Sequence, residues 1–314
     1  MSERTIIAFG GNAIAPAGTA GSAAEQTLNI WRTMAQVAEL VAEGTSDLVL
    51  THGNGPQVGN VLIKNEMARD VVPPVPLDWC VAQTQATIGF TIADTLTYEL
   101  RRHGHERPVV PVVSRVLVSL DDPAWREPSK PIGPYLTDEA DIRRREADGR
   151  RFVHGPRGWR RVVPSPRPLE SVDRPAIELL LDEGAIVVAN GGGGIPVVDD
   201  GRGPLRGVEA VIDKDLAGAL LAEELGATTF AVLTDVPGVA VGFGTPTQRW
   251  LGATSVSELR ELQEAGEFAA GSMGPKVEAA RRFVERTGGR AVIAGLDAAV
   301  DAMHGRAGTQ VVAT

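Results

Sequence analysis

Asp47-Leu-Val-Leu-Thr-His-Gly-Asn-Gly-Pro-Gln-Val-Gly59 reads as a buried strand that runs into a Gly/Asn loop and then a helix. A short unbroken apolar run fits a strand covered on both faces, as in a parallel sheet. A glycine-rich turn leading into a helix N-terminus presents backbone N–H groups to an anion. The pattern occurs earlier, where Thr5-Ile-Ile-Ala-Phe9 ends in Gly10-Gly11-Asn12. It occurs later, where Ala185-Ile-Val-Val-Ala189 ends in Asn190 and the run Gly191 to Gly194, and again where the strand pattern at 229–233 ends in Thr234-Asp235. In open α/β sheets such loops gather at the carboxyl ends of the strands. His52 reads as a structural residue of its turn rather than an acid/base group.

Helices are predicted over 22–43, 57–69, 79–103, 174–184, 213–226, 255–266 and 275–286, with further strands at 108–113, 291–294 and 310–312. Asp213 suits the N-cap of its helix, which puts Lys214 in the first turn at the positive end of the dipole. Residues 116–168 differ: Arg, Asp, Pro and Gly dominate and apolar periodicity fades. A helical pattern at 137–147 and a hairpin pattern at 152–163 predict an inserted subdomain. Its small core would be Phe152, Val153, Trp159, Val162 and Val163.

The chain has 314 residues, room for one large α/β domain or two moderate ones. A net charge of −9 with no basic block argues against nucleic acid as the main partner. Cys80 is the single cysteine, so no intrachain disulfide forms. No apolar run approaches transmembrane length and no signal-peptide core is present, so a cytoplasmic location without membrane partners is expected. There is no G-x-x-x-x-G-K-[ST] and no strand followed by G-x-G-x-x-G.

Of 31 basic residues only Lys64, Lys130, Lys214 and Lys276 are lysines. Arg is a planar fork, whereas Lys is a compact point charge on a flexible stem. A surviving Lys is a candidate for work that a guanidinium cannot do. Three of the four sit in Gly/Pro/Asp-rich segments, Lys64 being the exception.

Gly10-Gly-Asn-Ala13, His52-Gly-Asn-Gly-Pro-Gln-Val-Gly59, Lys130-Pro-Ile-Gly-Pro134, Arg161-Val-Val-Pro-Ser-Pro166, Glu209-Ala-Val-Ile-Asp-Lys-Asp215 and Gly271-Ser-Met-Gly-Pro-Lys276 together resemble the carbamate kinases of the amino acid kinase family. The likeness spans nearly the whole chain, in the same order. It implies a three-layer αβα sandwich on an open, mainly parallel eight-stranded sheet, with a small protruding subdomain at about 116–168, usually as a homodimer. It implies a lobe at 1–180 for carbamate or carbamoyl phosphate and a lobe at 181–314 for nucleotide. The reaction implied is reversible phosphoryl transfer between ATP and carbamate, without a phosphoenzyme. ATP formation from carbamoyl phosphate is the expected direction, within arginine metabolism. Mg²⁺ would accompany ATP or ADP, held mainly by phosphates.

Carried over by motif, Lys130, Lys214 and Lys276 match the family's catalytic lysines, and Asp215 matches the residue that orients them. Gly10, Gly11, Asn12, Gly53, Asn54 and Gly55 match the loops around the transferred group. Thr234, Asp235, Val236, Met273 and Gly274 match the nucleotide side, to which Gly191 and Gly192 are also assigned. Pro237 and the pair Tyr135-Leu136 depart from the family pattern. The competing readings are a sister kinase acting on an acetylated amino acid, glutamate or a nucleoside monophosphate, and a nucleotide-binding regulator without catalysis. Those sister kinases often carry Lys two residues before the Gly pair, where this chain has Ala8.

Overall fold

The computed structural model describes residues 3–15, 21–155, 157–268 and 273–314, and for Asn12 the backbone only. The motif positions Gly271 and Ser272 and the Asn12 side chain lie outside the described residues.

The first half runs β1 (Arg4–Phe9), α1 (Gly11–Ile14), α2 (Ala23–Ala42), β2 (Asp47–His52), α3 (Gly55–Ala68), α4 (Leu77–Arg102), β3 (Val109–Pro111) and β4 (Arg115–Leu117). Then come β5 (Lys130–Leu136), α5 (Glu139–Ala147), β6 (Arg151–Gly155), β7 (Gly158–Val163), β8 (Glu170–Ser171), α6 (Arg174–Asp182) and β9 (Ile186–Val188). The rest comprises β10 (Ile195–Val198), β11 (Arg206–Gly207), α7 (Lys214–Glu224), β12 (Thr229–Thr234), β13 (Ala240–Val241), β14 (Arg249–Trp250), β15 (Ala253–Ser255), α8 (Val256–Glu264), α9 (Met273–Thr287), β16 (Arg290–Gly295), α10 (Ala299–Met303) and β17 (Thr309–Val312).

Helix boundaries follow local chemistry. Ser22 and Glu25 form a capping box at the start of α2. Gly44, at φ 113°, follows its end. Asp213 caps α7 by accepting from the Asp215 and Leu216 N–H groups.

The eight-stranded sheet has the order β15-β17-β16-β12-β1-β2-β9-β3. The six strands from β16 to β3 run parallel, and β17 is antiparallel to β16. Alternating side chains send two cores to opposite faces. Ile6, Ala8, Val49, Phe230 and Ile293 pack beneath α6 to α9. Ile7, Phe9, Leu50, Leu233 and Val292 pack against α2, α4 and α10. This is the three-layer αβα architecture. Among the described residues no helix is long and apolar enough to cross a membrane.

Two smaller sheets flank the cleft. The sheet β11-β10-β4-β8 takes the start of the 116–168 segment through β4, where Val116 and Val118 are buried with Val198 and Ile212, and pairs it with β8 just past the segment's end. The sheet β5-β7-β6, with α5, therefore spans only 130–163. Its expected core also changes. Val153 is 47% exposed, whereas Val163 and Ile132 are buried with Val58, Leu77 and Val211 of the main body. The strands β13, β14 and β15, two or three residues each, carry no periodicity and escape the sequence reading.

Candidate active site

Parallel pairing brings the ends of β1, β2 and β12 to one edge. The Gly10 N–H donates to the Leu233 carbonyl at 3.3 Å, and the Gly53 N–H to the Phe9 carbonyl at 2.9 Å. Gly53 is wedged tightly: a Cβ there would stand 2.8 Å from the Gly11 nitrogen and 3.2 Å from Lys214 Cδ. Only glycine lets the two loops and the Lys214 stem share this space. A Cβ on Gly55, at the start of α3, would meet nothing within 4 Å. The Asn54 side chain donates to Thr84 Oγ1 at 3.0 Å, which fixes its amide.

Lys214 opens α7 and Lys276 lies in the first turn of α9. Their ammoniums meet on one carboxylate. Lys214 Nζ bonds Asp215 Oδ1, and Lys276 Nζ bonds Oδ2 at 3.1 Å. Lys130, the first residue of β5, donates to Asp213 Oδ2 at 2.6 Å, while Asp213 Oδ1 caps α7. Three ammoniums thus face two carboxylates at a helix N-terminus, beside glycine-rich backbone. This is a positive pocket suited to phosphate.

The groups tune one another. Burial by itself raises the Asp215 pKa, but Lys214 and Lys276 outweigh it and hold the carboxyl below the usual range. Burial depresses the Lys214 pKa, with Asp215 opposing and the Lys276 charge adding to the depression. Burial also pulls on Lys276, but there Asp215 prevails and the pKa is raised. His52 is pushed down to about 4 by burial, partly offset by its bond with the Gly53 carbonyl, and Lys214 lowers it further. A neutral imidazole donating from Nδ1 to that carbonyl at 3.0 Å fits a structural role.

Thr234 Oγ1 donates to Asp235 Oδ1 at 3.1 Å at the end of β12, and the Asp235 charge acts on Lys276. Gly191 and Gly192, expected at the nucleotide phosphates, pack against the residues that follow β2. A Cβ on Gly191 would stand 2.3 Å from His52 Nε2, and one on Gly192 2.2 Å from Asn54 Nδ2. They buttress the loop after β2. A cavity of about 240 Å³ lined by Thr5, Thr229, Arg290 and His304 lies at the opposite edge of the sheet and takes in none of these residues.

A profile of the amino acid kinase family matches residues 3–295. The chain is 48% identical over 313 residues to the carbamate kinase of Thermococcus kodakarensis, covering 99% of each. It is 46% identical to that of Pyrococcus furiosus, over 99% of this chain and 100% of the relative. The chain belongs to the carbamate kinases of the amino acid kinase family. Among solved carbamate kinases, that of Giardia lamblia bound to AMP-PNP superposes with a TM-score of 0.91 at 37% identity, covering 100% of this chain and 99% of that one.

Against this carbamate kinase fold, Lys130, Lys214, Asp215 and Lys276 stand together, with Gly53 packed between Gly11 and the Lys214 stem. Reading the sequence missed the second task of Asp213, which grips Lys130 as well as capping α7. Its place one residue before Lys214 signals the cap. Nothing local signals a partner 83 positions away.

Proposed function

We propose that the protein moves a phosphoryl group directly between carbamoyl phosphate and ADP, forming ATP and carbamate in the cytoplasm. The convergence of Lys214 and Lys276 on Asp215, with Lys130 on Asp213, carries this reading. Phosphoryl transfer needs positioning and charge stabilisation rather than covalent help. The backbone of Gly10, Gly11 and Gly53 to Gly55 would cradle carbamoyl phosphate. Thr234 to Val236, with Met273 and Gly274, would border the nucleotide. Gly191 and Gly192 are reassigned to support of His52 and Asn54. Asp215 holds Lys214 and Lys276 at a fixed separation, so their charges face the transferring oxygens without reorganisation. Lys130 completes the site from the three-stranded sheet.

Among the described residues no three His, Cys, Asp or Glu side chains converge as a metal cage. Asp213 and Asp215 spend their oxygens on lysines and the α7 cap. Mg²⁺ would then be carried mainly by the nucleotide phosphates and would supply neutralising charge there, while Lys130, Lys214 and Lys276 supply the protein's share.

On α2 and α4 the partly exposed Trp31 and Tyr98 meet edge to face, with exposed Leu28 and Phe90 on the same two helices; such exposed apolar side chains suit the homodimer contact.

ATP formation from carbamoyl phosphate and Mg·ADP tests the reading, with Lys214→Arg as control. Rapid ATP formation, lost in the variant, is the expected result. A folded protein that makes none would move the acceptor to an acetylated amino acid or a nucleoside monophosphate.

A further inference from the structure

We propose that Glu66, near the far end of α3 and outside the lysine cluster, is the positioning residue that keeps Lys130 over the site. This rests on the reading of Lys130 as part of the transfer machinery. Lys130 belongs to the β5-β7-β6 sheet, whose docking onto the main body is mostly apolar. Ile132 and Val163 pack with Val58, Leu77, Cys80, Val81 and Val211. Gly59 of α3 touches Gly133 of β5 so closely that a Cβ on Gly59 would stand 2.1 Å from Gly133 Cα. Such contacts hold surfaces together but are non-directional.

The directional contact is ionic and lies further along α3. Glu66 Oε2 accepts from Arg145 of α5, and Oε1 pairs with Arg150 Nη1 at 2.6 Å. All three side chains are largely buried, between 20% and 26% exposed. Arg161 faces Ile132 across the β5–β7 pair, on the same side of the sheet as Lys130. Burial depresses its pKa first and the Arg150 charge second, with Glu209 and Glu66 opposing. Glu66 is therefore a carboxylate of the main body paired with two guanidiniums of the small sheet, and its charge also acts on Arg161. Arg145 has Asp141 as a second partner at 2.7 Å, but Arg150 has no second carboxylate among the described residues.

Removing one partner of such a pair leaves buried charge uncompensated. Without Glu66, Arg145 and Arg150 lose their ionic tie to α3, and only the non-directional apolar contacts would hold the small sheet there. Lys130 rides on the same sheet, and its bond to Asp213 is the near end of the same clamp. Misplacing a catalytic group by about 1 Å costs up to roughly 100-fold.

The experiment is a double-mutant comparison of kcat/KM for ATP formation from carbamoyl phosphate and Mg·ADP. The proteins are wild type, Glu66→Gln, Lys130→Ala and the double variant. Hydrogen exchange is followed at 130–163. Glu66→Gln is expected to lower kcat/KM on the order of tenfold in the wild-type background and to change little in the Lys130→Ala background. Exchange should quicken at 139–155 and stay unchanged in the central sheet, and Glu66→Asp should recover part of the rate. A wild-type rate in Glu66→Gln, or an equal loss in both backgrounds, overturns the proposal. If Glu66→Gln does not fold, Arg150→Gln decides the question by the same comparison. A wild-type rate in Lys130→Ala itself would instead remove the catalytic reading on which the proposal rests.

Discussion

Lys214 and Lys276 differ from Lys130 in how their charge is held. The first two are 11% and 14% exposed, rise from helices packed on the central sheet and share one buried carboxylate. Lys130 is 30% exposed, comes from a separate small sheet and meets a carboxylate already engaged as a helix cap. The first arrangement is permanent electrostatics built into the core. The second is a charge delivered by docking. Stability and catalysis should therefore be coupled at Asp215 and separable at Lys130.

Asp215→Ala should break the core half of this contrast most severely. It strands two buried ammoniums, so urea unfolding should show a loss of about 3–5 kcal/mol. Turnover should fall by more than the roughly 10²–10³ expected for loss of one charge-stabilising donor in Lys214→Ala. Lys130→Ala should sharpen the contrast, with kcat falling on the order of 10²-fold while stability moves by less than about 1 kcal/mol. Wild-type turnover in that variant would erase the distinction. Gly59→Ala drives a Cβ into Gly133 and should lift the small sheet without touching a lysine. We expect about a tenfold loss of kcat/KM, with hydrogen exchange quickening at 130–163 alone.

A further contrast is a pH dependence. His52 has a folded pKa of about 4 against 6.5 unfolded, so between these values the unfolded chain binds the extra proton. Stability should rise with pH across this window and fall by up to about 3 kcal/mol as pH drops from 6.5 to 4. Asp215, whose pKa is lowered, loses its contribution only as pH falls below the ordinary carboxylate value of 3.8. His52→Gln should flatten the 6.5-to-4 segment of a denaturant-measured stability profile and leave the more acidic segment in place.

Much of the site is legible in the sequence because it is written locally. The Gly/Asn turns after β1 and β2 sit at strand ends that apolar runs announce, and the four lysines stand out against an Arg-rich background. The Gly191 to Gly194 run shows where local reading is ambiguous. It looks like phosphate-binding backbone, yet the space at each glycine is already claimed, by His52, Asn54, the Ile212 carbonyl and Val116 in turn. Gly192, Gly193 and Gly194 also take φ of 66°, 93° and 86°. Packing and backbone handedness suffice to demand glycine at these positions. A sequence cannot separate that demand from ligand approach, because both remove the Cβ. The edges of the inserted segment are hidden for a similar reason, since residues near 116 and 171 join a sheet completed by strands near 196 and 206.

The sequence by itself determined the α/β class, most of the succession of strands and helices, and the short list of charges available for chemistry. Those properties depend on apolar periodicity, capping residues and composition, all set by neighbours along the chain. Tertiary structure alone decided that Asp215 holds two lysines, that Asp213 both caps α7 and grips Lys130, and that Glu66 pairs with two arginines. The members of these pairings come from segments up to 84 residues apart, the separation of Glu66 and Arg150. Which of them meet depends on where the crossover connections return each segment to the sheet, and on how little room the glycines leave between them.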